Sequence, residues 1–379
     1  MKGGDANDIA RNGGPSAVRL ALLDTPDERP VVHAENRQLD TLPRIQSSAE
    51  FVDGFKPPDY VISGIIQRGF LYSNTGPTGS GKTAIALRLL ATVALGRAIG
   101  GCDVEHGRCL MLVGENPDDV RMRWIALGEQ MGFALGEIDV HFILGVFPIP
   151  ELLATVGERM KALGGLSLVI VDTGAAFFPG ENENDNKEQG DYARSLRTLT
   201  DLPGRPSVLV NCHPVKNATQ DNLIPRGGGA FIAEVDGNLC CKKTDAMVEL
   251  YWQGKFRGPD FAPISFELPT IASAQIVDSK GRKIPTVFAR PLSTFETASL
   301  ENAAEVDLQR LLRTMGETPG ASIAALAEAM GWVTADGNPQ KSRIHRRLLD
   351  LKNQRLATQE LKKWVLTPAG KRAAKRVEK

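Results

Sequence analysis

The sequence has few cysteines, no long apolar run and no excess of charge of either sign. Its five cysteines form no Cys-x-x-Cys pair and no zinc-like spacing, which argues against a disulfide scaffold or structural zinc site and favours a reducing cytoplasm. No apolar stretch approaches the ~20 residues that a membrane-spanning helix needs, and the first residues lack the apolar core of a signal peptide. We therefore expect a cytoplasmic protein without a membrane partner.

The 45 basic and 45 acidic residues balance overall but are unevenly placed along the chain. Between Lys341 and Lys379, 13 Lys and Arg residues stand against three acids, which gives this segment a net charge of +10. Such a segment favours a polyanionic partner such as DNA, because phosphate contacts release counterions. A solvated basic helix or a protein-docking module is the alternative interpretation.

The pattern of apolar residues divides the chain into four parts. Residues 1–50 show little periodicity and are interpreted as a flexible leader, with a short strand at 17–23. Residues 51–290 alternate short apolar runs with amphipathic stretches, which predicts an α/β domain with a mostly parallel sheet and helices on both faces. Residues 291–302 are rich in Ser, Thr, Glu and Asn and predict a linker. Residues 303–379 form the small basic domain.

Seven apolar runs in the α/β domain predict strands, and the segments between the first five predict helices. The predicted strands are 70–73, 108–113, 141–144, 166–171, 207–211, 239–241 and 247–253, and the predicted helices are 82–95, 118–131, 151–163 and 190–199. Only a polar turn separates the last two strands, which favours an antiparallel hairpin added to a parallel sheet.

One segment, Gly-Pro-Thr-Gly-Ser-Gly-Lys-Thr, matches the phosphate-binding pattern G-x-x-x-x-G-K-[ST] in full. Its glycines let backbone N–H groups converge on phosphate oxygens, and the helix that follows adds its positive N-terminal end. Lys82 is placed to reach the β- and γ-phosphates of ATP, and the hydroxyl of Thr83 to bind Mg²⁺. The predicted nucleotide-binding residues are Gly76, Pro77, Thr78, Gly79, Ser80, Gly81, Lys82 and Thr83.

Two further apolar strands end in carboxylates, Glu115 and Asp172. A charge at the end of a buried strand is costly unless it faces a cation, so we interpret Asp172 as the Mg²⁺ ligand; capping of the next turn is the alternative. The residue after it is Thr173, not Glu, so another carboxylate must polarise water. We assign Glu115 to that role, because the carboxyl ends of parallel strands meet at one edge; its alternative is a place at the start of the following helix.

A third strand, 207–211, leads to His213. An imidazole there can bond the γ-phosphate or the attacking water and report hydrolysis to the next loop. A purely structural histidine is the alternative.

In chain order, the motifs GPTGSGKT, VGENP, VIVDT, NCHPVK, PRGGGAF and GKFRG resemble those of RecA-like hexameric ATPases, specifically the RepA-type replicative helicases of plasmids and prophages. The resemblance covers residues 59–263. It implies a RecA-like P-loop NTPase core and a homo-oligomeric, hexameric ring that holds ATP between neighbours and moves on single-stranded DNA.

The resemblance also implies cations that complete the ATP site of a neighbouring subunit. Arg226 stands where the family carries an arginine that reaches the neighbour's γ-phosphate, and Lys255 and Arg257 match a basic pair used across the interface. Such cations neutralise charge on the transferring phosphoryl group; a solvated arginine and an ordinary hairpin turn are the alternatives. Arg123 lies near the position where the family stacks an arginine on adenine.

The C-terminal residues predict three helices, 306–315, 322–330 and 339–352, and two strands, 355–358 and 364–367. Their order and the ending WVLTPAGK resemble a winged helix-turn-helix domain. The third helix presents cations at helical spacing for DNA contact, and a loop of the core adds one more candidate. The predicted DNA-binding residues are Lys216, Arg343, Arg346, Arg347 and Lys352.

The sequence thus favours an ATP- and Mg²⁺-dependent DNA helicase or translocase of plasmid, phage or prophage replication. Its expected partners are single-stranded and duplex DNA, further copies of itself, and a replication primase or initiator. One alternative is a recombination-mediator or helicase-loader ATPase that uses ATP as an assembly switch. The other is a winged-helix DNA-binding regulator whose oligomerisation ATP controls.

Overall fold

The computed structural model describes residues 45–57, 59–219, 221–244, 246–361 and 363–377. Contacts divide the chain into two units, residues 1–57 and 58–379. In the described part of the first unit, helix α1 (Ser48–Val52) begins with a capping box between Ser47 and Glu50. The end of the predicted leader is therefore helical rather than irregular, and the strand predicted at 17–23 lies outside the described residues.

The second unit is built around a nine-stranded sheet in the described chain. A short hairpin, β1 (Tyr60–Ile62) and β2 (Ile66–Gln67), precedes it, and β11 (Thr270–Ile271) pairs with β12 (Thr286–Val287) beside it. The sheet strands are β3 (Leu71–Thr75), β4 (Cys109–Val113), β5 (Val140–Leu144), β6 (Leu168–Asp172), β7 (Ser207–Cys212), β8 (Gly237–Lys243), β9 (Val248–Phe256), β10 (Ile264–Glu267) and β13 (Arg290–Pro291).

The strand order is β13-β10-β9-β8-β3-β7-β6-β4-β5. Strands β8, β3, β7, β6, β4 and β5 are parallel to one another, whereas β9, β10 and β13 extend the sheet antiparallel. Since β8 and β9 pair antiparallel, with Leu239 opposite Trp252, the predicted hairpin is confirmed. β3, which leads into the phosphate-binding loop, is flanked on both sides by parallel strands.

Helices cover both faces of the sheet because the central strands alternate their buried side chains between two cores. On β4, Met111 points into one core and Leu110 and Leu112 into the other. The helices are α2 (Lys82–Leu95), α3 (Pro117–Met131), α4 (Ile149–Leu163), α5 (Asn186–Arg197) and α6 (Gly228–Glu234). Helices α2 and α3 pack on the first core, and α4 and α5 on the second. The mixed α/β architecture predicted from the sequence is confirmed.

The C-terminal residues form helices α7 (Thr294–Glu317), α8 (Ile323–Ala329) and α9 (Lys341–Asn353), a hairpin of β14 (Ala357–Glu360) and β15 (Lys363–Leu366), and helix α10 (Pro368–Val377). They share a core of their own, in which Leu311, Ile344 and Trp364 are buried. We call α7–α10, with the hairpin, the C-terminal module.

The segment 291–302, predicted as a linker, is regular structure. It contains the end of β13 and the first turns of α7. This helix begins at Thr294 rather than at 306, because Ser293 and Glu296 form a capping box. The domain boundaries themselves stay predictions. Across the described residues, no helix has the length and apolar character needed to cross a membrane.

Candidate active site

The loop between β3 and α2 forms a tight cradle in which side chains at Gly76 and Gly81 would clash with neighbouring atoms. Gly79 and Gly81 have φ angles of 76° and 93°, which favour glycine. A Cβ on Gly76 would lie 2.6 Å from Ser80 Oγ and 2.9 Å from the carbonyl oxygen of Cys241. Ser80 Oγ is buried and has no hydrogen-bond partner among the described residues. The loop therefore offers backbone N–H groups and an unpaired hydroxyl to an anion.

Lys82 lies inside this loop at the start of α2. Its ammonium group donates hydrogen bonds to the carbonyl oxygens of Gly76, at 2.6 Å, and Pro77, at 3.1 Å. Burial lowers the pKa of Lys82, and the nearby carboxylates Asp172 and Glu115 oppose that shift. The lysine is thus positioned at the loop, in agreement with a phosphate-binding role.

Thr83 and Asp172 are in direct contact, as a shared metal site requires. The hydroxyl of Thr83 donates to Asp172 Oδ2 over 2.9 Å, and the amide of Asn211 donates to Oδ1 over 2.8 Å. Burial raises the pKa of Asp172, while the hydrogen bonds from Asn211 and Thr83 lower it. One carboxylate and one hydroxyl form a hard oxygen donor set that fits Mg²⁺, which keeps waters and phosphate oxygens as its other ligands.

Glu115, at the end of β4, faces the same space. Its Oε1 accepts a hydrogen bond of 2.6 Å from the hydroxyl of Thr173. Both residues line a cavity of about 420 Å³ together with Lys82, Thr83 and His213. Three strand ends and the loop therefore converge on one cavity, as expected for parallel strands.

The surroundings of His213 favour the neutral form of its imidazole. Partial burial lowers its pKa, and the positive charge of Lys82 lowers it further. A neutral ring can both donate and accept a hydrogen bond, which suits contact with a phosphate oxygen or a water.

The lining of the cavity also includes a guanidinium and apolar side chains. Arg123, on α3, forms an ion pair of 2.6 Å with Asp119 and lines the cavity, as Leu268 and Val287 do. A guanidinium that an ion pair holds in place can stack on a flat aromatic base.

Arg226 lies close to His213 but is engaged within its own chain. Its backbone N–H donates to the carbonyl oxygen of His213 over 2.8 Å, and its guanidinium pairs with Glu183 over 2.7 Å. Arg226 and Glu183 line a small cavity of about 30 Å³, which has room for one water molecule. To reach a neighbouring subunit, as predicted, Arg226 must leave Glu183.

Lys255 and Arg257 lie at the opposite edge of the sheet from the phosphate-binding loop. Lys255 lies near the end of β9 and Arg257 directly follows this strand, whose Phe256 pairs with Gly237 at the start of β8. The phosphate-binding loop, in contrast, follows the carboxyl end of β3. Arg257 pairs with Asp236 over 3.0 Å, and Lys255 donates to the carbonyl oxygen of Ala233. These cations therefore take no part in the ATP site of their own chain.

The predicted DNA-contacting residues differ in their availability. Lys216 is exposed in a turn after β7, and Arg346 and Lys352 are exposed on α9. Arg347, in contrast, is buried and pairs with Asp350 over 3.1 Å. This placement argues against a contact between Arg347 and a phosphate, because the guanidinium is buried and paired within the C-terminal module.

Arg343 also serves the module. Its guanidinium lies 4.0 Å from the ring centroid of Trp332 and pairs with Asp307 over 3.0 Å. Helical spacing alone predicts that Arg343 and Arg346 contact DNA together. In the structure, α9 packs against α7, and the guanidinium of Arg343 is engaged within the module. Arg346 borders a cleft of about 470 Å³ that Pro77 and Ser80 also line, so α9 lies beside the phosphate-binding loop.

Sequence reasoning missed several residues that contact this site. Asn211 bridges Asp172 and Asn74, whose amide donates to Asn211 Oδ1 over 2.8 Å. Lys243, at the end of β8, donates to the carbonyl oxygen of Gly79 over 3.1 Å and lines the cavity. An amide in an otherwise apolar strand was a usable signal for Asn211, whereas nothing local pointed to Lys243.

Comparison with known proteins agrees with this geometry. Residues 35–219 match the family model AAA_25, described as an AAA domain. The match includes the loop, Glu115, Asp172 and His213 but ends before Arg226, the basic pair of β9 and the C-terminal module. No curated protein matches the chain. Residues 35–219 are therefore similar to the AAA-type ATPases, a family that binds nucleotides, typically with Mg²⁺, and hydrolyses them.

Proposed function

We propose that this protein is an ATP-hydrolysing, ring-forming DNA helicase or translocase of the RepA type, working in plasmid, phage or prophage replication. The observation that carries the proposal is the convergence of Lys82, the Thr83–Asp172 pair and Glu115 on one cavity. In phosphoryl transfer, catalysis rests on positioning and charge stabilisation, and these groups are the ones that such a site requires.

The roles of the residues follow from where they lie. The loop N–H groups and Lys82 would hold the β- and γ-phosphates, and the Thr83 hydroxyl and the Asp172 carboxylate would hold Mg²⁺. A metal ion held there would supply neutralisation of the charge on the leaving group. Glu115 accepts a proton from the attacking water or orients it, with Thr173 fixing one of its oxygens. His213 contacts the γ-phosphate or that water.

A ring fits the separation of the two sets of charged groups. The ATP site lies at one edge of the sheet and Lys255 and Arg257 lie at the other. Head-to-tail contact between copies brings the cations of one chain to the phosphates of the next, and such contacts close into rings. Hydrolysis then depends on assembly.

The C-terminal module supplies the interaction with DNA. Three helices followed by a two-stranded hairpin support the winged-helix proposal, and the charge of +10 between Lys341 and Lys379 favours duplex or single-stranded DNA. Exposed Arg346 and Lys352 on α9 are the contacts we assign to phosphates. A primase or initiator would join the same assembly.

The test is ATP turnover with and without single-stranded DNA, followed by unwinding of a forked duplex. A motor hydrolyses ATP faster on single strands and separates the fork, and the Lys82→Ala variant does neither. Turnover that does not change when DNA is added, together with no strand separation, would rule out the proposed helicase or translocase activity.

One observation favours the helicase-loader or recombination-mediator alternative. The loop after β7 offers Lys216, and Arg226 at its end is paired with Glu183, so the loop itself presents little net positive charge for gripping a moving strand. For such a switch, ATP strengthens DNA binding and assembly without unwinding. A regulator would instead prefer one duplex sequence by ~10³-fold or more over competitor DNA.

A further inference from the structure

Asp236 is a buried carboxylate at the edge of the sheet opposite the ATP site. Its side chain is 2% exposed, and it directly precedes β8. Its Oδ2 accepts hydrogen bonds of 2.9 Å from the backbone N–H of Leu71 and from the guanidinium of Arg197, and its Oδ1 accepts one of 3.0 Å from Arg257. One buried group thus ties the start of β3 to two arginines from different elements.

Three cations meet around this carboxylate. Arg197 ends α5 and also donates to the carbonyl oxygen of Glu234, and Lys255 donates to that of Ala233. Burial lowers the pKa of Lys255, and the charge of Arg257 lowers it further, which agrees with their closeness. We call Arg197, Lys255 and Arg257 the cation cluster.

The neighbouring carboxylates are engaged mainly elsewhere. Glu234 and Asp191 both pair with Arg194, at 2.8 and 2.6 Å. Among the described residues, Arg197 and Arg257 form ion pairs with Asp236 alone, and the side chain of Asp236 is buried. Yet Arg257 is 63% exposed and Arg197 36% exposed, so positive charge is held at the surface by a fixed scaffold. A phosphate group is the ligand that matches it.

We infer that Arg197 belongs with Lys255 and Arg257 to a three-cation site for the γ-phosphate of ATP held by a second copy of this chain, and that Asp236 is the residue that positions it. The inference deepens the proposed function and rests on its head-to-tail assembly. Arg197 then contacts the substrate of the neighbour, whereas Asp236 acts only through the arginines.

The first experiment compares Arg197→Ala with Arg194→Ala in ATP turnover by the assembled full chain. Both variants remove an arginine from α5, but Arg194 is balanced by its two carboxylates. We expect turnover to fall about 10-fold or more for Arg197→Ala and to stay within about 2-fold for Arg194→Ala, with nucleotide affinity unchanged in both. Arg197→Lys keeps the positive charge but lacks the planar guanidinium, so its turnover should lie between those of Arg197→Ala and the unmodified protein.

The second experiment separates action across the interface from support of the chain's own fold. Glu115→Gln lacks the proposed base but keeps its cations, so it is mixed in excess with Arg197→Ala. Turnover per Arg197→Ala subunit should rise several-fold, because neighbours now supply an intact cluster. Absence of that rise overturns the inference.

The same mixing experiment with Arg257→Ala tests the proposed assembly separately from the role of Arg197. Rescue of Arg257→Ala but not of Arg197→Ala rejects Arg197 as a member of the site and leaves the proposed assembly intact. Failure of both rejects completion of the site in trans altogether. Asp236→Asn, if folded by circular dichroism, should behave as Arg197→Ala does and be rescued in the same mixture; an unfolded Asp236→Asn leaves the Arg197 mixture to decide.

Discussion

The two edges of the sheet carry opposite chemistry on one framework. At the carboxyl ends of the parallel strands, the glycine loop, Thr83 and Glu115 line one cavity, and the buried carboxylate of Asp172 accepts a hydrogen bond from Thr83. At the amino ends, Asp236 instead pairs with two arginines, Arg197 and Arg257, whose side chains stay partly exposed. The first edge resembles a complete active site, and the second resembles the half of one that serves another molecule.

This difference shows how the two edges are encoded. The ATP edge depends on a contiguous motif and on strand ends, which are visible in a linear pattern. The cation edge draws Arg197 from α5, Asp236 from the start of β8, and Lys255 and Arg257 from β9. Such a site becomes recognisable only when the pairing of the strands is known.

The largest expected effect comes from removing the loop lysine. Lys82→Ala should lower ATP turnover by about 10³-fold, because a charge next to the transferring phosphoryl group is lost. Steady-state turnover at saturating ATP measures it, with Lys280→Ala, a surface lysine far along the chain, as the matched control. Unchanged turnover of Lys82→Ala would mean that the cavity at the carboxyl ends of the strands is not the site of hydrolysis.

Removal of the exposed arginine at the other edge should have the next largest effect. Arg257→Ala should lower turnover of the assembled protein by about 10²-fold while nucleotide affinity of the isolated chain stays the same. Arg282→Ala, an exposed arginine paired with Asp278, is the control. An equal loss of nucleotide affinity would mean that the two edges do not act in different molecules.

A moderate effect is expected from the amide that links β7 to the metal site. Asn211→Leu removes a donor to Asp172 and leaves the amide of Asn74 unpaired, which costs about 1–3 kcal/mol of unfolding free energy. Turnover should fall about 10-fold at limiting Mg²⁺. Urea unfolding and a Mg²⁺ titration measure the two effects.

The control for that variant is Ser73→Ala, which removes a hydrogen bond of 2.8 Å to Asn238 within the same sheet. It should cost about 1 kcal/mol and leave turnover unchanged, since Ser73 touches neither edge. Equal turnover losses in both variants would assign Asn211 a structural role only.

The smallest expected effect lies in the C-terminal module. The double variant Arg346→Ala, Lys352→Ala should weaken DNA binding a few-fold and reduce the slope of log affinity against log salt by about 1.8 for duplex DNA. Fluorescence anisotropy at several salt concentrations measures it. Arg313→Ala, paired with Glu317 on α7, should leave the slope unchanged; an unchanged slope in the double variant would remove α9 from the DNA contact.

Much of the fold was predictable because local and global signals agree. The helix predicted over 82–95 is confirmed residue for residue, since Gly81 and Gly96 bound it with φ angles of 93° and 61°. The start of α7 was missed although Ser293 and Glu296 spell a capping box, because the polar composition of 291–302 favoured a linker. Here the local signal was present and was outweighed.

Other features could not be predicted because they depend on distant contacts. Arg343 and Arg346 lie one turn apart on α9, yet one packs on Trp332 and the other is exposed. Lys243 reaches Gly79 across a separation of 164 residues. Periodicity gives the face of a helix, but it does not give the identity of the surface that covers it.

Strand β8 joins the two edges, since Asp236 directly precedes it and Lys243 ends it. At roughly 3.3 Å per residue, its seven residues span about 23 Å. A hydrogen-bonded strand in mid-sheet barely stretches. In the proposed head-to-tail assembly, β8 would therefore hold the phosphate-binding loop of a subunit at a fixed distance from the cations that the same subunit offers to its neighbour. The step from one ATP to the next around the assembly would then be set by the length of the strands rather than by any loop.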